Sequence, residues 1–131
     1  MSTNNEQIML VDDNDIDVFL NKKLIGIAGI EGEIISFTNS AEALNHLISQ
    51  FENNQDLPKV MLVDIQMPEM NGFQFIEQLS QKMPEKLREI QVFFLSSTVH
   101  DEDAIRAREN EFVQEILPKP LDSNYLAAQI K

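Results

Sequence analysis

Aspartates stand where two short apolar stretches end, and their spacing indicates a cation site. Asp12 and Asp13 directly follow the stretch IMLV, and Asp64 directly follows KVMLV. Apolar runs of this length are typical of buried strands. Two carboxylates about 4 Å apart repel each other by roughly 4 kcal/mol at an effective dielectric constant near 20. Such side chains therefore either point apart into water or share a positive charge.

Hydroxyl and amine groups follow two later stretches of the same kind. IQVFFL is followed by Ser96, Ser97 and Thr98, and FVQEIL leads into two prolines that flank Lys119. Mg²⁺ takes six oxygen ligands and usually binds one or two carboxylates, several waters and a phosphate oxygen. A carboxylate at neutral pH is already an anion that can attack phosphorus. An ammonium and a hydroxyl are groups that bind the transferred phosphoryl oxygens.

Together these side chains predict phosphoryl transfer to an aspartate. Asp12, Asp13 and Asp64 would supply carboxylates to Mg²⁺, which would relieve their repulsion. Asp64 would remain as the nucleophile, while Lys119 and one of the three hydroxyls would bind the phosphoryl oxygens. This chemistry requires that strand ends far apart in the sequence meet at one place.

Strands and helices are predicted in alternation. The apolar stretches give strands at 8–11, 33–37, 59–63, 90–95 and 112–117. Apolar residues at three- and four-residue spacing predict helices at about 16–29, 40–51, 72–84, 101–109 and from about 121 to the end. Ser40 is the predicted N-cap of the second helix, and Asn110 the predicted left-handed residue after the fourth. The alternation predicts a parallel sheet with helices on both faces and the carboxyl ends of all strands along one edge.

The composition limits the class of protein and its partners. The chain has 131 residues, 43% of them hydrophobic, a formal net charge of −12 and no cysteine. These values predict one globular domain without disulfides. The negative field disfavours direct binding to nucleic acid and favours basic protein surfaces or cations. No apolar stretch approaches the ~20 residues of a membrane span, and no signal peptide is evident. We therefore expect no membrane insertion and a cytoplasmic location.

Four motifs in order resemble a known signalling family. They are LVDDN at 10–14, LVDIQMPEMNG at 62–72, LSS at 95–97 and KP at 119–120. With them the chain resembles a response-regulator receiver domain of two-component (phosphorelay) signalling over nearly all of its length. The resemblance implies a flavodoxin-like (βα)₅ three-layer α/β sandwich with strand order 2-1-3-4-5. It also implies one receiver domain over 1–131, in which we expect 1–6 to be a flexible tail.

The resemblance implies a role for each matched acidic position. Asp64 would accept the phosphoryl group from a histidine of a sensor kinase or of a phosphotransfer protein. Asp13 would bind Mg²⁺ directly, Asp12 would act largely through water, and Gln66 would lend its backbone carbonyl. An output protein would then read the phosphorylated state.

The resemblance also assigns the switch positions and shows departures from the family pattern. Ser96 would be the switch hydroxyl and Lys119 its cationic partner, with a cis peptide bond before Pro120. Ile116 stands where many members have a switch aromatic, and ENEF at 109–112 replaces a common Gly-Ala turn. Ser97 and Thr98 compete with Ser96 for the switch role because strand-end register is uncertain by one residue.

Simpler interpretations account for some of the acidic residues. Asp15 and Asp17 fit the first turn of a helix, where carboxylates gain about 0.3–1 kcal/mol from the helix dipole. We therefore expect them to be solvated and not to bind metal. A calcium-binding EF-hand loop starting at Asp13 is excluded because Val18 and Leu24 replace the required glycine and glutamate.

Two alternative functions and the extent of the chain remain open at this point. One alternative is a receiver-shaped module that binds proteins without phosphorylation, and the other is a haloacid-dehalogenase-type phosphatase. The intact acidic pair, acceptor, hydroxyl and lysine argue against the first, and the lack of a late acidic pair or cap domain argues against the second. No DNA-binding segment follows residue 131, so we expect a single-domain regulator or a piece of a longer chain, as a monomer or weak dimer.

Overall fold

Residues 6–130 are described in a computed structural model, in which five parallel strands form one sheet. The strands run in the order β2-β1-β3-β4-β5, which confirms the predicted topology. Their bounds are β1 Gln7–Val11, β2 Glu33–Phe37, β3 Val60–Asp64, β4 Gln91–Ser96 and β5 Val113–Pro118.

Helices connect the strands and cover both faces of the sheet. Their bounds are α1 Asp15–Ile27, α2 Ser40–Glu52, α3 Gly72–Lys82, α4 Pro84–Arg88, α5 Asp101–Glu109 and α6 Ser123–Gln129. The short helix α4 was not predicted, because Pro84 was expected only to end the third helix. Proline is tolerated at the first position of a helix, where its missing N–H would have no partner. No helix within 6–130 is both long enough and apolar enough to cross a membrane.

Alternate residues of the central strands enter two apolar clusters, one on each face. In β1, Ile8 and Leu10 pack in the cluster with α1 and α6, whereas Met9 and Val11 pack in the cluster with α2, α3, α4 and α5. All four are buried. This burial on both faces explains the continuous apolar runs of the sequence.

Asparagine and aspartate caps fix where several helices begin, and they correct two predictions. The side chain of Asn39, not that of Ser40, accepts the N–H of Glu42 and caps α2. Asp122 caps α6, which therefore starts at residue 123 and not near residue 121. Asn110 has an extended conformation, with φ of −86°, and not the predicted left-handed one.

Glu6 ties the start of the described chain to the sheet. Its carbonyl accepts the N–H of Glu33 at 2.9 Å, and its carboxylate pairs with Lys59 at 3.0 Å. Gly32 permits this approach, because its φ is +132° and an added Cβ would lie 2.7 Å from the Glu6 oxygen. Of the predicted tail at 1–6, residues 1–5 lie outside the described residues.

The glycines offer a matched pair for testing this packing. Gly32→Ala is expected to lower the free energy of unfolding by about 1–3 kcal/mol, because alanine is strained at this φ and meets backbone. Gly26→Ala, in α1 with nothing within 4 Å of an added Cβ, is expected to raise it by about 0.5–1 kcal/mol. Urea unfolding followed by circular dichroism measures both. Equal effects of the same sign would contradict the interpretation.

Candidate functional site

The carboxyl ends of the two central strands bring three aspartates together. Asp12 directly follows β1 and Asp64 ends β3, and the preceding residues Val11 and Val63 are partners in the sheet. One carboxylate oxygen each from Asp12, Asp13 and Asp64 lies within 4.8 Å of the others. Asp12 and Asp64 are buried, whereas Asp13 is exposed. The site thus has two carboxylates inside the protein and a third at the surface.

Lys119, just beyond the end of β5, supplies positive charge to this group. Its Nζ lies 2.9 Å from Asp12 Oδ2, 2.9 Å from Asp17 Oδ2 and 3.3 Å from Asp64 Oδ2. The lysine side chain is only 14% exposed, so these ion pairs are shielded from water. The structure therefore brings together the strand-end carboxylates and the amine that the sequence placed far apart.

Asp17 is a site residue that the sequence interpretation missed. It lies in the first turn of α1, as expected, but its carboxylate hydrogen bonds to the Lys119 ammonium and is not simply solvated. Asp15, in the same turn, is exposed. The partner of Asp17 lies at the far end of the chain, so no local feature of the sequence indicates the direction of its side chain.

Hydrogen bonds in the loop after β1 orient Asp12. Its Oδ1 accepts the N–H of Asn14 at 2.9 Å, while the Asn14 side chain caps α1 by accepting the N–H groups of Ile16 and Asp17. The other oxygen, Asp12 Oδ2, is buried and accepts no hydrogen bond from the described residues. Its contact with Lys119 is an ion pair. This oxygen therefore faces the Lys119 ammonium.

The loop after β3 holds Asp64 in a fixed position. The N–H of Gln66 donates to Asp64 Oδ1 at 3.1 Å, and the N–H of Gly72 donates to the Ile65 carbonyl at 2.9 Å. An added Cβ at Gly72 would lie 3.0 Å from the Asp64 carbonyl oxygen and 3.1 Å from Ile65 Cα. The glycine of the MPEMNG motif thus allows α3 to start directly against the strand end.

Burial and neighbouring charges shift two pKa values at the site. Burial, together with the negative charge of Asp12, raises the pKa of Asp64 to about 6, against an opposing hydrogen bond from Gln66 and attraction from Lys119. Burial alone would lower the pKa of Lys119, but its interactions with Asp17, Asp12 and Asp64 outweigh burial and raise that pKa above its ordinary value. The Lys119 ammonium therefore stays charged. The ionised form of Asp64 is destabilised by its burial and by the charge of Asp12.

Ser96 ends β4, the strand that pairs with β3, at whose end Asp64 lies. The Ser96 hydroxyl hydrogen bonds within the loop that follows β4. Ser96 is fully buried, and its Oγ donates to the Thr98 carbonyl at 2.6 Å. The N–H of Lys119 donates to the Ser96 carbonyl at 2.9 Å, which joins the ends of β4 and β5. Ser97 and Thr98 are exposed. Of the three hydroxyls, Ser96 is the one inside the sheet.

Two further expectations concern the segment that carries Lys119. The peptide bond between Lys119 and Pro120 is cis, as the resemblance implied. Ile116, at the position of the switch aromatic, is partly buried against the cluster that contains Phe94 and Ala107. It has no aromatic ring.

The arrangement of the aspartates fits a divalent cation. Three carboxylates, which only accept hydrogen bonds when ionised, lie within reach of one ion. Asp12 and Asp64 are both buried and share one ammonium, that of Lys119, so the carboxylates of the site outnumber the positive charge that compensates them. Oxygen-only ligands with carboxylates in this number are typical of Mg²⁺. The predicted backbone ligand, the carbonyl of Gln66, remains a prediction.

Comparison with known proteins assigns the family. The sequence model described as response regulator receiver domain matches residues 8–131. The chain is a response regulator receiver domain. The alternative interpretation of the sequence as a haloacid-dehalogenase-type phosphatase is therefore wrong.

Relatives of this receiver domain occur in proteins of different length. The probable methanogenesis regulatory protein FilR2 of Methanothrix harundinacea is 32% identical over 87% of this chain and 72% of its own length. The sensor histidine kinase CheAY of Helicobacter pylori is 27% identical over 95% of this chain but only 14% of its own length. Receiver domains of this type thus occur both in regulators and in histidine kinases.

Solved structures confirm the flavodoxin-like receiver fold. A two-component response regulator from Cytophaga hutchinsonii has a TM-score of 0.88 and 29% identity, covering 96% of this chain and 94% of its own. A response regulator receiver protein from Dyadobacter fermentans has a TM-score of 0.84 and 33% identity, covering 96% and 95%.

The raised pKa of Asp64 predicts a specific dependence of stability on pH. With a pKa of about 6 in the folded protein and an ordinary value of 3.8, the folded state binds more protons between these values. The free energy of unfolding should therefore fall as pH rises from about 4 through 6, and the loss should be complete at about pH 7, one unit above the folded pKa. Asp64→Asn should remove this loss and raise the free energy of unfolding at pH 7 by about 1–3 kcal/mol.

Urea unfolding in EDTA between pH 4 and 8 tests this dependence by comparing the two proteins. Asp15→Asn, an exposed residue of the same type, is the control and should follow the wild type at every pH. A difference between wild type and Asp64→Asn that does not change between pH 4 and 7 would contradict the assignment of the raised pKa.

Proposed function

We propose that this receiver domain is a phosphorylation-controlled switch in which Asp64 accepts a phosphoryl group from a phosphohistidine. The observation that carries the proposal is the contact between Asp64 Oδ2 and Lys119 Nζ at 3.3 Å, beside two further carboxylates within 4.8 Å. A nucleophile, a cationic group for the phosphoryl oxygens and a cation-binding set lie at one strand edge.

The transfer requires no general base. An Asp64 oxygen forms a bond to phosphorus while the phosphorus–nitrogen bond of the donor breaks, and the leaving imidazole takes up a proton. The pKa of about 6 leaves Asp64 mostly ionised at pH 7, and its desolvated carboxylate is a better nucleophile than a hydrated one. Lys119 lies where it can attract the incoming phosphoryl oxygens.

The acidic residues would hold Mg²⁺ during this reaction. Asp12, Asp13 and Asp64 would provide carboxylate oxygens, directly or through water, and Gln66 its backbone carbonyl. The bound ion supplies positive charge that reduces the repulsion between the carboxylates and the phosphoryl group. The burial of Asp12 and Asp64 beside a single ammonium supports this role.

The switch would operate through the loop after β4. Ser96 Oγ now donates to the Thr98 carbonyl, and after phosphorylation it would donate to a phosphoryl oxygen instead. The change would release the Thr98 carbonyl and shift the loop that leads to α5. Because Ile116 replaces the switch aromatic, this loop and the Lys119 segment would transmit the signal.

The partners follow from the family and the charge. The donor would be a sensor histidine kinase or a histidine phosphotransfer protein in the cytoplasm, and the receptor of the signal an output protein. The net charge of −12 favours basic protein surfaces and disfavours nucleic acid. Apart from accelerating its own phosphoryl transfer and dephosphorylation, the domain would be a monomeric or weakly dimeric switch and not an enzyme.

Mass spectrometry of the intact protein tests phosphorylation. Incubation with acetyl phosphate and Mg²⁺ should add one phosphoryl group, because we propose a single acceptor, Asp64. Asp64→Asn should abolish the gain, and EDTA should do the same. Asp15→Asn should leave the gain unchanged. Failure of the wild type to react with acetyl phosphate or with a phosphorylated histidine protein would favour a module that binds partners without phosphorylation.

The lifetime of the acyl phosphate should depend on exposed side chains beside the site. Neither Gln66 nor Thr98, both exposed, is acidic, so neither orients a water for attack on phosphorus. We expect a longer lifetime than in the fastest chemotaxis-type receivers, and Thr98→Glu should shorten it about threefold or more. Phosphate release from labelled protein measures the rate. Val99→Glu, one residue further along, is the control, and equal acceleration by both substitutions would contradict this explanation.

A further inference from the structure

We propose that Asp17 is a positioning residue that holds the Lys119 ammonium in the unphosphorylated domain and thereby lowers the affinity of the site for a phosphoryl group. The inference rests on the proposed phosphorylation of Asp64. Asp17 Oδ2 accepts a hydrogen bond from Lys119 Nζ at 2.9 Å, which is shorter than the 3.3 Å contact between Lys119 and Asp64.

The local structure of α1 leaves the Asp17 side chain free to make this contact. Asp17 is the third residue of α1, after the cap Asn14. A carboxylate at this position commonly turns back to accept the N–H of the cap residue. Here that N–H donates to Asp12 Oδ1 at 2.9 Å. The Asp17 carboxylate therefore reaches across to Lys119.

Lys119 already contacts three carboxylates in this arrangement. An ammonium has three N–H groups, and its nitrogen lies within 3.3 Å of three carboxylates, those of Asp12, Asp17 and Asp64. A phosphoryl oxygen can accept a hydrogen bond from Lys119 only by displacing one of these carboxylates or by sharing an N–H group with it. Asp17 is the most exposed of the three and is outside the group of carboxylates within 4.8 Å of one another.

Charge balance gives the same direction. Lys119 and a divalent cation together neutralise three carboxylates, which matches Asp12, Asp13 and Asp64. Asp17 is a fourth negative charge, and it shares the ammonium with the phosphoryl group that would form on Asp64. The phosphoryl group is therefore attracted less strongly by Lys119, which Asp17 already binds, and it is repelled by the Asp17 carboxylate. Removal of the Asp17 charge should favour binding of the phosphoryl group.

Binding of beryllofluoride, a stable mimic of the phosphoryl group, measures the effect without turnover. At saturating Mg²⁺, followed by amide NMR, Asp17→Asn should bind beryllofluoride about fivefold or more tightly than the wild type. The affinity for Mg²⁺ alone should fall or stay the same, because a negative charge has been removed. The side-chain ammonium signal of Lys119 should shift in the free variant. Asp17→Glu, which keeps the charge, should stay within about twofold of the wild type.

Asp15→Asn is the matched control, because it removes the same charge from the same helical turn without touching Lys119. It should change the beryllofluoride affinity less than about twofold and leave the Lys119 signal in place. Equal or weaker binding by Asp17→Asn, beside Mg²⁺-dependent binding by the wild type, would overturn the role of Asp17 alone. No Mg²⁺-dependent binding by the wild type would overturn the proposed phosphorylation and this inference together.

Discussion

The ammonium of Lys119 is the interaction that allows carboxylates from separate elements to lie together at the end of the sheet. It contacts side chains that follow β1, begin α1 and end β3. Without a cation, Asp12 and Asp64 would be two buried like charges with little access to water, and such an arrangement is strongly unfavourable. The strand order places β1 next to β3, but β5 lies two strands away from β3. Only a long side chain at the end of β5 can cross that distance.

The repulsion that remains is part of the site. Burial and the charge of Asp12 keep the pKa of Asp64 at about 6 even with Lys119 present. If positive groups fully neutralised its carboxylates, the site would have little affinity for a further cation. The Asp64 carboxylate would then also be a poor nucleophile. The fold thus maintains a local excess of negative charge, and the apolar clusters on both faces of the sheet provide the stability that this excess removes.

The sequence predicted most of this arrangement because its signals are local. Asp12, Asp64 and Lys119 each adjoin an apolar run, and parallel strands bring their ends to one edge whatever the loops do. Asp17 was misjudged because its partner is 102 residues away, and its direction depends on which group satisfies the N–H of Asn14. The residue Ser40 was misjudged as a cap because Asn39 beside it is an equally good one, and backbone conformation decides between them.

Gly72 has a consequence for how the domain can change state. The backbone of α3 starts in contact with the strand end that carries Asp64, and an added Cβ at Gly72 would lie only 3.0 Å from the Asp64 carbonyl oxygen. The main chain at Asp64 is therefore held between α3 and the sheet. Under the proposed function, a new phosphoryl group on Asp64 would be accommodated by side chains that can exchange hydrogen-bond partners, those of Ser96 and Lys119.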